Sequence, residues 1–170
     1  MKLTSLALAV PIAIVAAVTA AAPAHAQELG IDVGRQAPAA AVQTLDGKPA
    51  NLTQWIGKTP VVMEFWATWC PNCKELEPTM VAAAREYGDR VKFIAVAVSV
   101  NQSPERVRRY QDRYKLPMTF VYDHEGNATD AYDVPATSYV VVLDGTGKVV
   151  YTGLGGKQDL NAAIAKAAPR

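Results

Sequence analysis

The chain has 170 residues, half of them hydrophobic, and a formal net charge of +1. That length supports one domain with a proper core. A balance of 17 cationic against 16 acidic residues argues against a general nucleic-acid binder. Two cysteines are too few for a disulfide framework, so folding rests on the apolar core.

Lys2 precedes a long apolar run, Leu3 to Ala22, broken only by Pro11. Ala24-His25-Ala26 then fits a small-x-small cleavage site, with Gln27 as the mature start. Residues 1–26 are therefore read as a signal peptide and 27–170 as the folded domain. The run approaches spanning length, and an uncleaved anchor is the alternative; its alanine richness and the cleavage site favour cleavage and no stable membrane insertion afterwards. Export places the domain in the periplasm, where a disulfide can persist or turn over.

Gln27 to Ala41 reads as a linker-like stretch, leading into Ala40–Leu45 and a turn at Asp46-Gly47. Asn51 is placed to cap a short segment, Leu52–Ile56. Val61–Trp66 is an apolar run interrupted by Glu64 and predicts a central strand. Cys70–Tyr87 predicts a helix ended by Gly88. Val91–Val100 has the pattern of a strand covered on both faces. Ser103-Pro104-Glu105 is a strong helix start. Val107, Tyr110 and Tyr114 recur at helical spacing and are predicted to face the core. Arg106, Arg109 and Arg113 share another face, read as solvated rather than as a docking patch for an acidic partner. A strand at Met118–Tyr122, a turn over Asp123–Asn127 with an exposed His124, a short helix to Tyr132, a hairpin of Ser138–Leu143 with Lys148–Gly153 about Asp144–Gly147, and a last helix at Gln158–Ala167 complete the order. This order fits an α/β fold: a central mixed sheet with helices on both faces.

The chemistry-bearing stretch is Phe65-Trp-Ala-Thr-Trp-Cys-Pro-Asn-Cys73. Two cysteines at i and i+3 on a helix start lie on one face, close enough for a disulfide. Unpaired helix N–H groups and the positive end of the helix dipole stabilise a thiolate on Cys70. Cys73 lies one turn in and is expected to be the more buried. A mononuclear zinc site needs two further ligands, and the chain offers only His25 and His124. A purely structural disulfide closing so small a loop removes little chain entropy. Redox exchange is the better reading, with no cofactor and no metal. The rival is a copper-binding module holding Cu(I) between the two thiolates, with Met63, Met80 or Met118 assisting.

Glu64-Phe-Trp-Ala-Thr-Trp-Cys-Pro-Asn-Cys73 resembles the thioredoxin active site, and Pro78 matches the proline that kinks the helix there. The resemblance runs from about Gly34 to about Ala165. Leu45-Asp46-Gly47, Tyr132-Asp133-Val134, Asp144-x-x-Gly147 and the extra Ser103–Tyr122 segment make the chain similar to the TlpA-like periplasmic branch. The resemblance implies a thioredoxin fold with that branch's α-β insertion and a thiol-disulfide oxidoreductase that reduces protein disulfides. Its partners would be disulfide-bonded or dithiol proteins of the periplasm and an upstream electron donor. Cys70 is the expected nucleophile and Cys73 the resolving thiol. Glu64 holds the place of thioredoxin's buried acid. Burial of that carboxylate in an apolar strand would raise its pKa and suit it to proton exchange with Cys73. Trp69 and Pro71 would shape the contact surface.

Two positions depart from the family. The glutamate often found three residues after the second cysteine is Leu76 here, with Glu75 and Glu77 on either side. Counting back from Asp144 puts Ser138, preceded by Thr137, where the family has a cis-proline; Pro135 would serve only after a register shift. Serine does not favour a cis bond, so a trans peptide is expected there.

Overall fold

A computed structural model describes residues 29–168; the signal peptide expected at 1–26 lies outside them. Seven strands form one mixed sheet in the order β2-β1-β5-β4-β3-β6-β7. They are β1 (Ala41–Gln43), β2 (Pro49–Asn51), β3 (Val61–Trp66), β4 (Lys92–Val98), β5 (Thr119–Asp123), β6 (Tyr139–Leu143) and β7 (Val149–Leu154). The helices are α1 (Pro71–Tyr87), α2 (Pro104–Tyr114), α3 (Asn127–Ala131) and α4 (Leu160–Ala167). Strands β3, β4 and β5 run parallel, joined through α1 and α2. Strand β6 returns antiparallel on β3, and β7 on β6. The expected central mixed sheet is borne out, and α2–β5 occupies the segment read as the insertion.

Strand β3 is central and every one of its residues is buried. Alternation divides it between two cores. Val62 and Trp66 pack with Cys70, Cys73, Leu76 and Met80 of the α1 segment and with Leu160 and Ile164 of α4. Val61, Met63 and Phe65 pack on the other face with Leu52, Tyr132 and Tyr139. Glu64 shares the parity of Val62 and Trp66, so it faces α1.

Several expectations are corrected. The stretch read as a linker is built in: Ile31 is buried, its N–H donates to the Tyr132 carbonyl, and the Gly34 N–H donates to Val149. Gly30 has a positive φ, and a Cβ there would overlap the Tyr139 ring. Strand β2 was not anticipated, because Pro49-Ala50-Asn51 is short and lacks apolar alternation. Asn51 does cap, accepting from the Thr53 N–H at 3.0 Å, but over a shorter 3-10 turn, Leu52–Gln54. Gly88 ends α1 without the left-handed conformation, at φ −57°. Tyr114 is 52% exposed: it is the last residue of α2, and its ring lies 4.6 Å from that of Tyr110.

Asp123, read as part of a turn, is a fully buried carboxylate at the end of β5. It accepts from the Ala128 and Thr129 N–H groups at 3.0 and 2.8 Å and from the Thr129 hydroxyl at 2.6 Å. Those amides open α3, so the charge meets the positive end of the helix. Asp123→Ala should cost about 2–4 kcal/mol by urea unfolding, because three donors lose their acceptor, the buried Ala128 N–H among them. A loss below about 0.5 kcal/mol would show that α3 does not depend on this cap.

Candidate active site

The site sits where β3 ends and α1 begins. Cys70 is the N-cap of α1, in extended conformation, and its Sγ accepts from the Cys73 N–H at 3.1 Å. Pro71 occupies the first helical position, where no N–H is needed. Cys70 and Cys73 are joined as a disulfide, with Cα atoms 5.3 Å apart. Pro78, inside α1, has no N–H for the Lys74 carbonyl.

The expected contrast in burial is absent. Cys70 is 2% exposed and Cys73 4%. With the disulfide closed, both sulfurs are held inward, and Trp69 and Pro71 carry the exposed surface beside them. What separates the two cysteines is position. Cys70 caps the helix, whereas Cys73 faces the buried carboxylate.

Glu64 is 4% exposed. With Trp66, Cys73, Glu77, Leu116, Met118 and others it lines a cavity of about 10 Å³, the size that one water fills. Glu64 Oε1 and Trp66 Nε1 make no hydrogen bond among the described residues. Burial first, and then the charge of Glu77, push the Glu64 carboxyl up to about 8. Glu77 lies one turn after Cys73 and accepts from the Tyr110 hydroxyl at 2.9 Å. The Tyr110 phenol is raised in turn, by burial and then by that hydrogen bond. Sequence reasoning named Glu77 only as a neighbour of Leu76, and nothing in the sequence linked it to Tyr110, 33 residues away.

The loop before Cys70 is braced by a residue the sequence did not mark. Gln102 accepts from the Thr68 N–H at 2.9 Å and donates to the Val98 carbonyl at 2.6 Å, while its own carbonyl accepts from Tyr122. Trp69 donates its indole N–H to Val100 at 2.8 Å. An isolated glutamine after a strand has no pattern that would reveal this role.

Ser138 closes the other side. Its N–H donates to Phe65 and its carbonyl accepts from Gly155, both backbone groups being used. It is fully buried with φ +67°, and the described residues contain no cis peptide bond. Pro135 is exposed, three residues away. Thr137 is half-buried and lines a groove of about 230 Å³ with Trp69, Val98, Val100, Val134 and Ala136. The structure thus brings Cys70, Cys73, Glu64, Trp69, Pro71, Thr137 and Ser138 to one end of the sheet. Met63 does not join them, since it packs in the opposite core; Met118 lies beside Cys73 in the small cavity.

The model of the redoxin family matches residues 32–168. The chain belongs to the redoxin family. A thioredoxin-like protein of Bacillus subtilis, YneN, is 33% identical over 141 residues, 81% of this chain and 82% of that protein. The thiol-disulfide oxidoreductase ResA of Halalkalibacterium halodurans is 32% identical over 123 residues, covering 72% and 69%. Among solved structures, a thiol:disulfide interchange protein of the thioredoxin family from Chlorobium tepidum superposes with a TM-score of 0.67 at 23% identity, covering 80% of this chain and 97% of that one. The thioredoxin domain of a thiol-disulfide oxidoreductase from Bacteroides vulgatus gives 0.69 at 20%, covering 81% and 99%. Fold and class agree with the site: a thioredoxin-like thiol-disulfide oxidoreductase with its cysteine pair at bonding distance.

The raised Glu64 carboxyl has a stability consequence. The unfolded chain releases this proton near 4.5 and the folded one near 8, so folding binds a proton between those values. Stability therefore falls as pH rises through that window. Glu64→Gln should remove the fall. In urea unfolding of the oxidised protein the variant should be more stable than wild type above pH 8 by a few kcal/mol, on the order of 1.4 kcal/mol per pKa unit, and about equal at pH 4. Parallel curves from pH 4 to 9 would mean that Glu64 is not held neutral.

Proposed function

We propose that the protein is exported, loses residues 1–26 and reduces disulfides of periplasmic proteins. The observation that carries the reading is the Cys70–Cys73 pair on the α1 N-terminus above a buried carboxylate. Among the described residues no helix is long and apolar enough to cross a membrane. Reduction is the proposed direction on the resemblance to the TlpA-like branch, with an upstream dithiol donor restoring the reduced form.

In the forward reaction the Cys70 thiolate attacks one sulfur of the partner disulfide. A Cys70–partner mixed disulfide forms and the first partner thiolate leaves. The α1 amides and dipole stabilise the attacking thiolate. Cys73 then gives its proton to Glu64 in the molecules where that carboxyl is ionised, directly or through one water in the small cavity, and its thiolate attacks Cys70 Sγ. The second partner sulfur leaves as a thiolate and takes up the proton held by Glu64, while the Cys70–Cys73 disulfide forms; two electrons have passed to the partner. Trp69, Pro71 and Thr137 border the groove side of the sulfurs and would hold the partner chain. Ser138 positions Thr137 through its two backbone bonds.

Alkylation of the reduced protein near neutral pH should label Cys70 first, and Cys73→Ser should trap the partner as a mixed disulfide on Cys70. Preferential labelling of Cys73 would reverse the assignment. Equilibration with a thiol couple should give a potential below about −180 mV; a value near −120 mV, typical of a strong oxidant, would point to oxidation instead.

The role of Glu64 is read separately. Glu64→Gln should slow the resolving step by about a hundredfold at neutral pH, with the mixed disulfide accumulating in acid-quenched samples. Superimposable rate–pH profiles for wild type and variant would make Glu64 a bystander.

A further inference from the structure

We propose that the α2 face beside the dithiol is a binding subsite for acidic side chains that flank the exchanged cysteine of the partner protein. The inference rests on the exchange reading above and names the substrate class it would act on.

From sequence alone, Arg106, Arg109 and Arg113 form a solvated helix face. The structure adds a second wall. The three arginines, Tyr110 and Tyr114 of α2 close a concavity of about 270 Å³ against Thr68 and Lys74. Those two residues bracket the dithiol: Thr68 precedes Cys70 by two positions and Lys74 follows Cys73. Chain length alone keeps the Thr68 and Cys70 Cα atoms within about 7 Å. A partner cysteine bonded to Cys70, with extended chain rising about 3.4 Å per residue, can therefore bring side chains a few positions away into the concavity.

Four cations line this space, all exposed, and none is in a salt bridge among the described residues. No acid is part of the lining. Glu105 and Asp112, the acids of α2, lie outside it. Glu77 is turned inward to Tyr110. The floor adds Thr68, which is 94% buried and whose hydroxyl has no hydrogen-bond partner among the described residues. Planar guanidinium groups match carboxylates through paired N–H bonds. The tyrosine edge is held from behind, Tyr110 packing between Trp66 and Tyr114. On the opposite flank, the groove at Trp69, Val100 and Ala136 carries no cation. The two sides of the dithiol thus differ in chemistry, one largely apolar with a single acid, Asp130, and one cationic, and would fix the direction in which a partner chain crosses it.

The test uses three matched peptide disulfides whose cysteine is flanked by Asp and Glu, by Asn and Gln, or by Lys. Rates of reduction by the reduced full-length protein are each divided by the rate with dithiothreitol, which removes intrinsic reactivity. At about 0.01 M ionic strength the acidic peptide should react about tenfold faster than the amide peptide and the lysine peptide slowest. The spread should collapse near 1 M, where the screening length is about 3 Å. In Arg106→Gln/Arg109→Gln/Arg113→Gln the acid-to-amide ratio should fall close to one; because it is a ratio within one variant, a general loss of activity cancels. Arg85→Gln/Arg90→Gln/Lys92→Gln removes the same charge at the far end of α1 and β4 and should keep the preference. Equal rates on the acidic and amide peptides by wild type would overturn the subsite alone. An equal loss of preference in the remote variant would reduce it to net charge. Failure to reduce any peptide would overturn the exchange reading itself.

Discussion

The arrangement depends on a strand with no solvent face. Strand β3 is paired on both edges, by β4 and β6, and covered on both sides, so every side chain it carries is buried. Its length and pleat fix which residues face α1. That parity puts Glu64 under the helix that holds both cysteines. The strand end, tied by the Phe65 carbonyl to Ser138, sets where the chain must turn outward to become the Cys70 cap. Moving the register by one residue would send Glu64 into the opposite core and leave the sulfurs over Met63 or Phe65.

A buried carboxylate is destabilising, and this one is aggravated by a second. Glu77, one turn below Cys73, raises the proton affinity of Glu64 and is itself held by Tyr110. An apolar residue of similar volume at position 64 would suit the core better. The physical consequence of keeping the acid is a group that changes charge near neutral pH beside a sulfur that must lose and regain a proton. The Glu77 charge, joined by that of Glu64 as its carboxyl ionises near 8, opposes a thiolate on Cys73, so thiolate formation there is disfavoured until the proton has somewhere to go. The position after Cys73 where the family often has a glutamate is an apolar Leu76, fully buried; the carboxylate has in effect moved one residue along the helix, onto the tyrosine of α2.

Much of this was legible in the sequence, and the parts that were not have a common reason. Val61–Trp66 and Val91–Val100 announced themselves because strands covered on both faces are continuous apolar runs. The caps at Asn51 and Ser103 were legible because capping is local chemistry. What the sequence could not carry was pairing at a distance. Gln102 reaches back 34 residues to Thr68, Tyr110 reaches 33 to Glu77, and Asp123 was read as part of a turn because nothing local tied its side chain to the amides of Ala128 and Thr129 in the short helix that follows. Tyr114 failed for a different reason: helical spacing gives the face but not the point at which the core ends. The expected contrast between the cysteines failed because position along a helix says nothing about what the neighbouring loops cover.

Ser138 shows how the remaining side of the site is held. A non-glycine residue in the left-handed region costs about 1–2 kcal/mol, and serine has no special tolerance for it. It is retained by four hydrogen bonds: its N–H to Phe65, its carbonyl from Gly155 and Gln158, and its hydroxyl to the Gly155 carbonyl. Those partners come from β3 and from the segment after β7, so the kink is clamped from two directions. The clamp consumes both backbone groups of Ser138 and leaves Thr137 facing the groove. A proline here would lack the N–H that reaches Phe65. The serine therefore does more than fill a vacated position: it adds a backbone bond between the end of β3 and the loop that faces it, and so ties that loop to the strand from which the Cys70 turn departs.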